Sequence, residues 1–260
     1  MSRILAIANQ KGGVGKTTTS INLAASLAAS KKSVLLIDID PQGNATMGSG
    51  VDKYDVEYSV YDVLLEGKPA KECIMTLSTI GVDLLPANAD VTAAEVELVA
   101  AENRESRLRD ALAAIQDSYD YILLDCPPSL NMLTLNALVA ANGVIIPMQC
   151  EYYALEGLAA LTETIESVRA SVNPGLQIEG LLRTMFDPRN NLANDVSDQL
   201  IEHFGDRVYR TIVPRNVRLA EAPSHGLPVI QYDKTSRGAV AYLSLAGEIV
   251  RRQIQAANVA

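Results

Sequence analysis

The chain has 260 residues, of which 22 are Lys or Arg and 31 are Asp or Glu, so its formal net charge is −9. Hydrophobic residues make up 48% of the chain, enough to offset the entropy lost on folding, and a mainly disordered state is excluded. No apolar run approaches the roughly 18 residues that cross a bilayer, and the amino terminus has no signal-peptide pattern. Three widely spaced cysteines argue against a disulfide framework and for a cytoplasmic location.

Strand-like and helix-like segments alternate along the chain. The predicted strands are residues 4–8, 33–38, 82–85, 121–125, 144–147, 178–182, 208–213 and 228–230. The predicted helices are residues 16–30, 93–115, 133–141, 154–172, 194–204 and 238–257, and residues 52–62 are predicted to form a solvated loop. Several strands are continuously apolar, as expected where both faces are buried. The order predicts an α/β fold, a mostly parallel twisted sheet with helices on both faces.

The domain organisation is predicted from the absence of linker-like segments and internal repeats. The sequence contains no linker rich in Gly, Pro or Ser and no internal repeat. Residues 1–260 are therefore expected to form a single domain, and the first strand begins too early for an accessory DNA-binding domain before it.

A glycine-rich segment lies between the first predicted strand and the first predicted helix. It consists of Lys11, Gly12, Gly13, Val14, Gly15, Lys16, Thr17 and Thr18. Glycines allow the tight turn that aims backbone N–H groups at an anion, and the following helix adds its positive end. The usual phosphate loop has a Gly where Gln10 stands, so the match is to the variant K-G-G-x-G-K-[ST]. A chance glycine-rich turn is disfavoured by this placement, and the segment predicts a P-loop NTPase of the variant-loop ATPase group, which binds ATP and Mg²⁺.

Acidic residues end two of the predicted strands. Asp125 ends one buried run, where a carboxylate is expected to help hold Mg²⁺ together with the Thr17 hydroxyl. Asp38 and Asp40 end another, and period-two geometry would put them on the same side. One of them could position the attacking water, and Asp40 is favoured, also as a metal ligand. Alternatively, an aspartate, Asp38 in particular, only caps the turn before Pro41.

These motifs together resemble the ParA/Soj-type chromosome- or plasmid-partitioning ATPases. The resemblance is carried by KGGVGKTT, VLLIDIDPQGNAT, DYILLDCPPS, PMQCEYYALEGL and VPRNVRLAEAPSHGLP, and it covers residues 4 to about 246. The loop alone would indicate only the wider variant-loop group, which includes MinD-type division-site proteins and the nitrogenase iron protein. The last two segments are the narrower signals.

The resemblance implies a homodimer that encloses two ATP molecules. Lys11 would cross the interface to the partner's phosphates, and a second cation there suits the charge that develops on the transferred phosphoryl group. Lys11, Lys16 and Asp40 would be the catalytic residues, and Pro214 and Asn216 would line the adenine. A lysine in a solvated loop is the alternative interpretation of Lys11.

Despite the acidic composition, the resemblance also implies sequence-independent binding of double-stranded DNA by the ATP-bound dimer. Residues 151–260 hold 11 basic and 13 acidic side chains, and ten of those cations are arginines. Six arginines cluster in sequence: Arg183, Arg189, Arg207, Arg210, Arg215 and Arg218. Arg189 and Arg218 resemble the family's DNA contacts by position, and guanidinium groups bind phosphate well. The alternative is that the cluster is ordinary solvated or ion-paired surface.

The implied partners are a second copy of the chain, DNA and a ParB-type centromere-binding protein that stimulates slow hydrolysis. The ATP form would associate with the nucleoid, and no stable membrane association is expected because the last helix lacks a strong apolar face with several lysines. A MinD-like or other cargo-positioning ATPase remains the alternative. A small-molecule ligase on the same loop would need a substrate pocket, for which the sequence gives no signal.

Overall fold

The computed structural model describes residues 2–152 and 154–259, and it describes side chains up to residue 255. Eight strands form one sheet: β1 (Arg3–Ile7), β2 (Val34–Asp38), β3 (Met75–Leu77), β4 (Val82–Leu85), β5 (Tyr121–Asp125), β6 (Gly143–Met148), β7 (Gln177–Phe186) and β8 (Val208–Pro214). Their order is β3-β4-β2-β5-β1-β6-β7-β8. Every described pairing is parallel except β3 with β4 at one edge, so the predicted mostly parallel sheet is confirmed.

Helices cover both faces of this sheet. They are α1 (Lys16–Ala29), α2 (Asn44–Gly48), α3 (Val60–Leu64), α4 (Ala70–Cys73), α5 (Val91–Glu97), α6 (Arg107–Leu112), α7 (Met132–Ala140), α8 (Ala154–Ser171), α9 (Asn191–Phe204), α10 (Val217–Glu221), α11 (Val229–Tyr232) and α12 (Arg237–Val259). Tyr153, part of one segment that carries the resemblance, lies outside the described residues. None of the helices in the described ranges is long and apolar enough to cross a membrane.

Two hydrophobic cores lie on opposite faces of the sheet. Ile4 and Ala6 of β1 pack into one core with α7 and α8, and Leu5 and Ile7 pack into the other with α1 and α12. Alternation along a strand sends successive side chains to opposite faces, and here both faces are apolar. This is why the strand sequences are continuously hydrophobic.

Three sequence predictions of local structure are wrong, and one strand was missed. Residues 228–230, predicted as a strand, begin the short helix α11. The predicted helix 93–115 is interrupted between α5 and α6, where Asn103 adopts φ 51°. The short edge strand β3 was not predicted, because two of its three residues are exposed and carry no buried periodicity. The loop predicted over residues 52–62 ends in α3, which is capped by the buried side chain of Ser59.

The sheet topology brings three strand ends to one place. Asp125 at the end of β5 lies opposite Ile7 of β1 on one side and opposite Asp38 of β2 on the other. The glycine-rich loop leaves β1 at this same edge. Ligands of open α/β sheets bind at the carboxyl ends of such strands.

Candidate active site

The loop between β1 and α1 is shaped by two glycines with positive φ. Gly13 has φ 73° and Gly15 has φ 89°, values that favour glycine. Gly15 also precedes the first turn of α1, which has no side-chain cap. The first N–H groups of a helix lack intrahelical partners, so this end of α1 is suited to bind an anion.

Buried polar contacts hold the loop in place. The Asn9 amide donates to the Pro147 carbonyl at 2.8 Å, and its Oδ1 accepts from the Lys11 N–H at 3.0 Å. The Thr184 hydroxyl donates to the Val14 carbonyl at 2.8 Å. The loop is thus tied to the strands beyond β1, and its conformation is prepared before any ligand binds.

Lys16 lies beneath this loop and is only 7% exposed. Its ammonium donates to the Lys11 carbonyl at 3.2 Å. Burial lowers the pKa of Lys16, and the charges of Asp125 and Asp40 oppose that shift. A buried ammonium with a single backbone partner has capacity left for an anionic ligand.

Asp125 is fully buried at the end of β5. Its Oδ1 accepts from the Ser20 hydroxyl at 2.7 Å, whereas its Oδ2 has no hydrogen-bond partner among the described residues. Burial, and then the charge of Asp38, raise the pKa of Asp125, and the hydrogen bond from Ser20 acts in the opposite direction. A buried carboxylate oxygen left unpaired is costly unless a ligand completes it.

Asp38 and Asp40 have different surroundings. The Asp38 carboxylate accepts from the Thr46 N–H and hydroxyl, both at 2.8 Å, and from the Asp40 N–H at 3.2 Å. Asp38 therefore closes the turn after β2, as the alternative interpretation expected. Asp40 accepts a hydrogen bond from the Gln42 N–H at 3.0 Å, and its charge raises the pKa of both Lys16 and Asp125, so it lies within electrostatic range of these two buried groups.

The balance of charge in this pocket fits a divalent cation. The charges of two buried carboxylates, those of Asp40 and Asp125, act on the buried ammonium of Lys16, and the buried carboxylate of Asp38 acts on Asp125. The unpaired Oδ2 of Asp125 is an oxygen ligand of the kind Mg²⁺ uses, directly or through its bound water. The residues present thus fit the metal that accompanies nucleoside triphosphates.

Lys11 is ion-paired at the surface of the single chain. Its ammonium pairs with the Glu151 carboxylate at 2.6 Å, and the two side chains are 40% and 51% exposed. A Cβ placed on the adjacent Gly12 would meet no atom within 4 Å. Nothing in the described part of this chain therefore requires glycine at that position.

Pro214 and Asn216 lie at the end of β8 and just before α10. The side chain of Asn216 does not cap α10, and its Oδ1 is buried with no partner among the described residues. An unpaired amide oxygen can accept a hydrogen bond from the amino group of a purine. This second unpaired acceptor fits an adenine base.

The arginine cluster is not one surface. Arg183 is buried and donates to the Ser197 hydroxyl and the Tyr209 carbonyl, both at 2.8 Å, so it is a core residue and belongs to neither a DNA-binding surface nor a solvated one. Arg189 is exposed and pairs with Asp187 at 2.7 Å. Arg218 is half-exposed and pairs with Glu221 at 2.7 Å and Asp233 at 3.3 Å.

Several residues of the site were missed by the sequence analysis. Ser20 lies one turn after Lys16 on α1, a spacing that could have revealed it. Asn9, Glu151 and Thr184 contact the loop from positions remote in sequence or without a motif, and only the folded chain brings them together.

The sequence of the chain is similar to those of known proteins along most of its length. The chain matches the AAA domain family over residues 2–178. It is 54% identical to the sporulation initiation inhibitor protein Soj of Bacillus subtilis over 96% of this chain and 98% of that protein. It is 52% identical to the chromosome partitioning protein ParA of Myxococcus xanthus, over 97% and 89% of the two chains.

A solved structure shares the whole architecture. It is that of cobyrinic acid a,c-diamide synthase from Mycobacterium smegmatis, with a bound ATP analogue and magnesium, at 37% identity and a TM-score of 0.85. The match covers 97% of this chain and 96% of that one. Identity to the partitioning proteins is higher and also runs the length of the chain. The chain therefore belongs to the Soj/ParA family of chromosome-partitioning ATPases.

Proposed function

We propose that this chain is an ATP-dependent, dimerising ATPase that binds DNA without sequence preference and segregates chromosomal or plasmid DNA with a ParB-type partner. The observation that carries the proposal is the pocket under the glycine loop. There the buried ammonium of Lys16, on which the charge of Asp125 acts, and the unpaired Oδ2 of Asp125 both have spare bonding capacity. The family gives the pocket its biological context.

In the proposed site, residues 11–18 bind the phosphates and Lys16 neutralises them. Thr17, Asp125 and Asp40 would hold Mg²⁺, directly or through its water. When bound, the metal supplies charge neutralisation on the transferred phosphoryl group. Asp40 positions the attacking water, and Pro214 and Asn216 hold the base.

Lys11 is proposed to act in trans. Its contact with Glu151 is an exposed ion pair, and such pairs contribute only about 0–1 kcal/mol. Exchanging Glu151 for a partner's phosphates would therefore cost little. The open space at Gly12 leaves room for a second chain to approach.

Dimerisation would couple ATP to DNA. Arg189 and Arg218 pair with carboxylates at the surface, and phosphates can compete for such exposed pairs. Two copies of the patch in one dimer bind a polyanion more tightly than one copy does. Because ATP favours the dimer and the dimer favours DNA, each ligand strengthens the other.

The test is retention of a random-sequence DNA duplex with ATP, with ADP and with no nucleotide, at two salt concentrations. Lipid vesicles containing anionic lipid are assayed in parallel, and sedimentation gives the oligomeric state. We expect DNA retention and dimers only with ATP, with retention weaker at higher salt. Lys16→Ala should abolish all three responses, whereas Lys71→Ala, which removes an exposed lysine on α4, should not.

The other outcomes are equally decisive. Nucleotide-independent DNA retention would contradict the proposed switch, and ATP binding by Lys16→Ala would contradict the proposed phosphate site. Retention on vesicles in place of DNA would favour a membrane-positioning ATPase, the alternative that the sequence left open.

A further inference from the structure

An unusual backbone conformation lies close to the glycine-rich loop. Three non-glycine residues in the described ranges have positive φ: Lys31 (62°), Asn103 (51°) and Met185 (48°). Lys31 comes two residues after the end of α1, and Asn103 lies between α5 and α6, where a left-handed residue commonly ends a helix. Met185 instead lies inside the strand β7, where a left-handed residue with a side chain is strained. Such strain persists only where surrounding contacts hold it.

A bulge in β7 accompanies this conformation. Arg183 lies opposite Ile212 of β8 and Phe186 lies opposite Pro214, so three steps along β7 match two along β8. The extra residue lies between Arg183 and Phe186. A left-handed position in a bulge favours glycine, and a bulge changes the direction in which a side chain points. Because a methionine stands where glycine would be free of strain, its side chain is expected to have a task.

The side chain of Met185 lies against two segments of the candidate active site. A Cβ placed on Gly15 would be 3.9 Å from the methyl carbon of Met185, so the thioether lies next to the last glycine of the loop. The side-chain amide of Gln149, which follows β6, donates to the Met185 sulfur. Gln149 is two residues before Glu151, the ion-pair partner of Lys11. The thioether thus connects the glycine-rich loop with the segment that carries Glu151.

The residue before Met185 holds the same loop. Thr184 is buried, and its hydroxyl donates to the Val14 carbonyl at 2.8 Å. Two successive residues of the bulge therefore support two successive residues of the loop, Val14 and Gly15. A cavity of about 180 Å³, lined by Gln149 among others, lies beside the thioether. No neighbouring side chain fills that space, so none would replace the thioether if it were shortened.

We propose that Met185 is a positioning residue for the phosphate loop, and that the strained bulge of β7 serves to direct its thioether against Gly15. The inference rests on the proposed function, in which residues 11–18 bind the phosphates of ATP. A loop that already has its binding conformation loses less freedom when ATP binds, so its affinity is higher. If a shortened side chain leaves the loop competent for about a tenth of the time, the apparent Kd rises about tenfold.

The experiment compares M185A with M185G in the full chain. Both variants remove the thioether, but only M185G removes the left-handed strain, because glycine adopts positive φ freely. Titration with a fluorescent ATP analogue and Mg²⁺ gives the Kd, and denaturant unfolding gives the midpoint. We expect the Kd of both variants to rise about tenfold, although M185G unfolds at a higher denaturant concentration than M185A. Affinity would then follow the side chain while stability follows the backbone, a separation that a purely structural role does not produce.

M185L tests rescue, and Lys31 supplies the matched control. Leucine restores an apolar side chain of similar volume, so M185L should bind the analogue within about threefold of the wild type. Lys31 has a similar positive φ, is exposed and follows the end of α1 opposite to the glycine-rich loop. K31G should likewise unfold at a higher denaturant concentration than K31A, whereas both should keep the wild-type Kd.

Each remaining outcome has one meaning. If the wild type binds the analogue and M185A and M185G bind it equally well, the inference is wrong and the proposed function stands. Equal unfolding midpoints of M185A and M185G would show that the bulge holds no strain, which also overturns the inference. If the wild type itself does not bind the analogue, the proposed phosphate site fails. Should the variants of Met185 not fold, Gln149→Ala removes the amide that contacts the sulfur. An unchanged Kd in that variant would count against the inference, and a higher Kd would support it.

Discussion

At the scale of single residues, Asp38 and Asp40 lie two positions apart and have different roles: Asp38 stabilises a turn, and Asp40 is available for chemistry. The Asp38 carboxylate stabilises the turn, because it accepts hydrogen bonds from the Asp40 N–H and from the N–H and hydroxyl of Thr46. Among the described residues the Asp40 carboxylate accepts one hydrogen bond, from the N–H of Gln42, and its charge opposes the lowering of the Lys16 pKa. The carboxylate with fewer internal bonds is the one available to a water molecule.

Replacing Asp40 by Ala should stop turnover without preventing ATP binding. A group that positions or deprotonates the nucleophile contributes roughly 10²–10⁴-fold, so phosphate release should fall about 100-fold or more. Sedimentation with ATP and Mg²⁺ should still show dimers, which now persist.

Asp38→Asn is the contrasting variant. It disturbs three buried hydrogen bonds, and its main effect should be a lower free energy of unfolding, by about 1–3 kcal/mol. Turnover at the normal rate in Asp40→Ala would contradict the assignment.

Lys11 offers a second test at this scale. Since its pair with Glu151 is exposed, Lys11→Ala should change the free energy of unfolding by less than about 1 kcal/mol. We expect it to bind ATP but to remain monomeric by sedimentation with an ATP analogue and Mg²⁺. Glu151→Gln frees the lysine in place of removing it and should still dimerise. Equal dimerisation of Lys11→Ala and the wild type would refute a role in trans.

At the scale of elements, the sequence predicted the buried parts and missed the marginal ones. The central strands were recognised because both of their faces are apolar, and α1, α7 and α8 because their lengths and compositions are ordinary for helices. Residues 228–230 form an apolar run too short to distinguish strand from helix, and tertiary packing decided for α11.

The candidate site shows the same division. Residues 11–18 and the aspartates were found because phosphate chemistry demands a fixed spacing. The ion pair of Lys11 and the pairing of Arg189 with Asp187 were not found, because neither has a spacing rule in the sequence. Burial of Arg183 was missed since its partners, Ser197 and the Tyr209 carbonyl, come from other elements.

Two loops beside the candidate site touch through glycines. Gly50, which follows α2, and Gly226, which follows α10, both have positive φ, and a Cβ on Gly226 would lie 2.6 Å from the Gly50 Cα. This contact joins the segment after Asp40 to the segment that carries Arg218. No side chain stands between the two backbones, so the two loops pack directly against each other.

Gly226→Ala should therefore destabilise the fold more than Gly67→Ala. Gly67 has φ 68°, close to the 63° of Gly226, but a Cβ there would meet nothing within 4 Å. Both variants bear the left-handed penalty of about 1–2 kcal/mol, and only Gly226→Ala adds a backbone clash. Denaturant unfolding compares them. Equal losses of unfolding free energy would show that the two loops separate easily and that their close contact does not require glycine.

At the scale of the whole molecule, charge and function pull in opposite directions. Each chain has a net charge of −9, so two chains that approach each other repel at long range. Salt screens this repulsion, and the screening length falls from about 30 Å at 0.01 M to about 10 Å at 0.1 M. DNA binding through arginines depends on salt with the opposite sign, because counterions released from the duplex must be recaptured at high salt. We therefore expect dimerisation, with an ATP analogue and Mg²⁺ present, to stay unchanged or become stronger when the salt concentration rises from about 0.05 to 0.2 M. Over the same range the affinity for DNA should fall by about 10³-fold if six phosphate contacts are made. Sedimentation without DNA and duplex retention, measured in the same buffers, separate the two effects. If dimerisation weakens in parallel with DNA affinity, exposed ion pairs and not buried nucleotide contacts hold the two chains together. The proposed contact of Lys11 with the partner's phosphates would then be wrong.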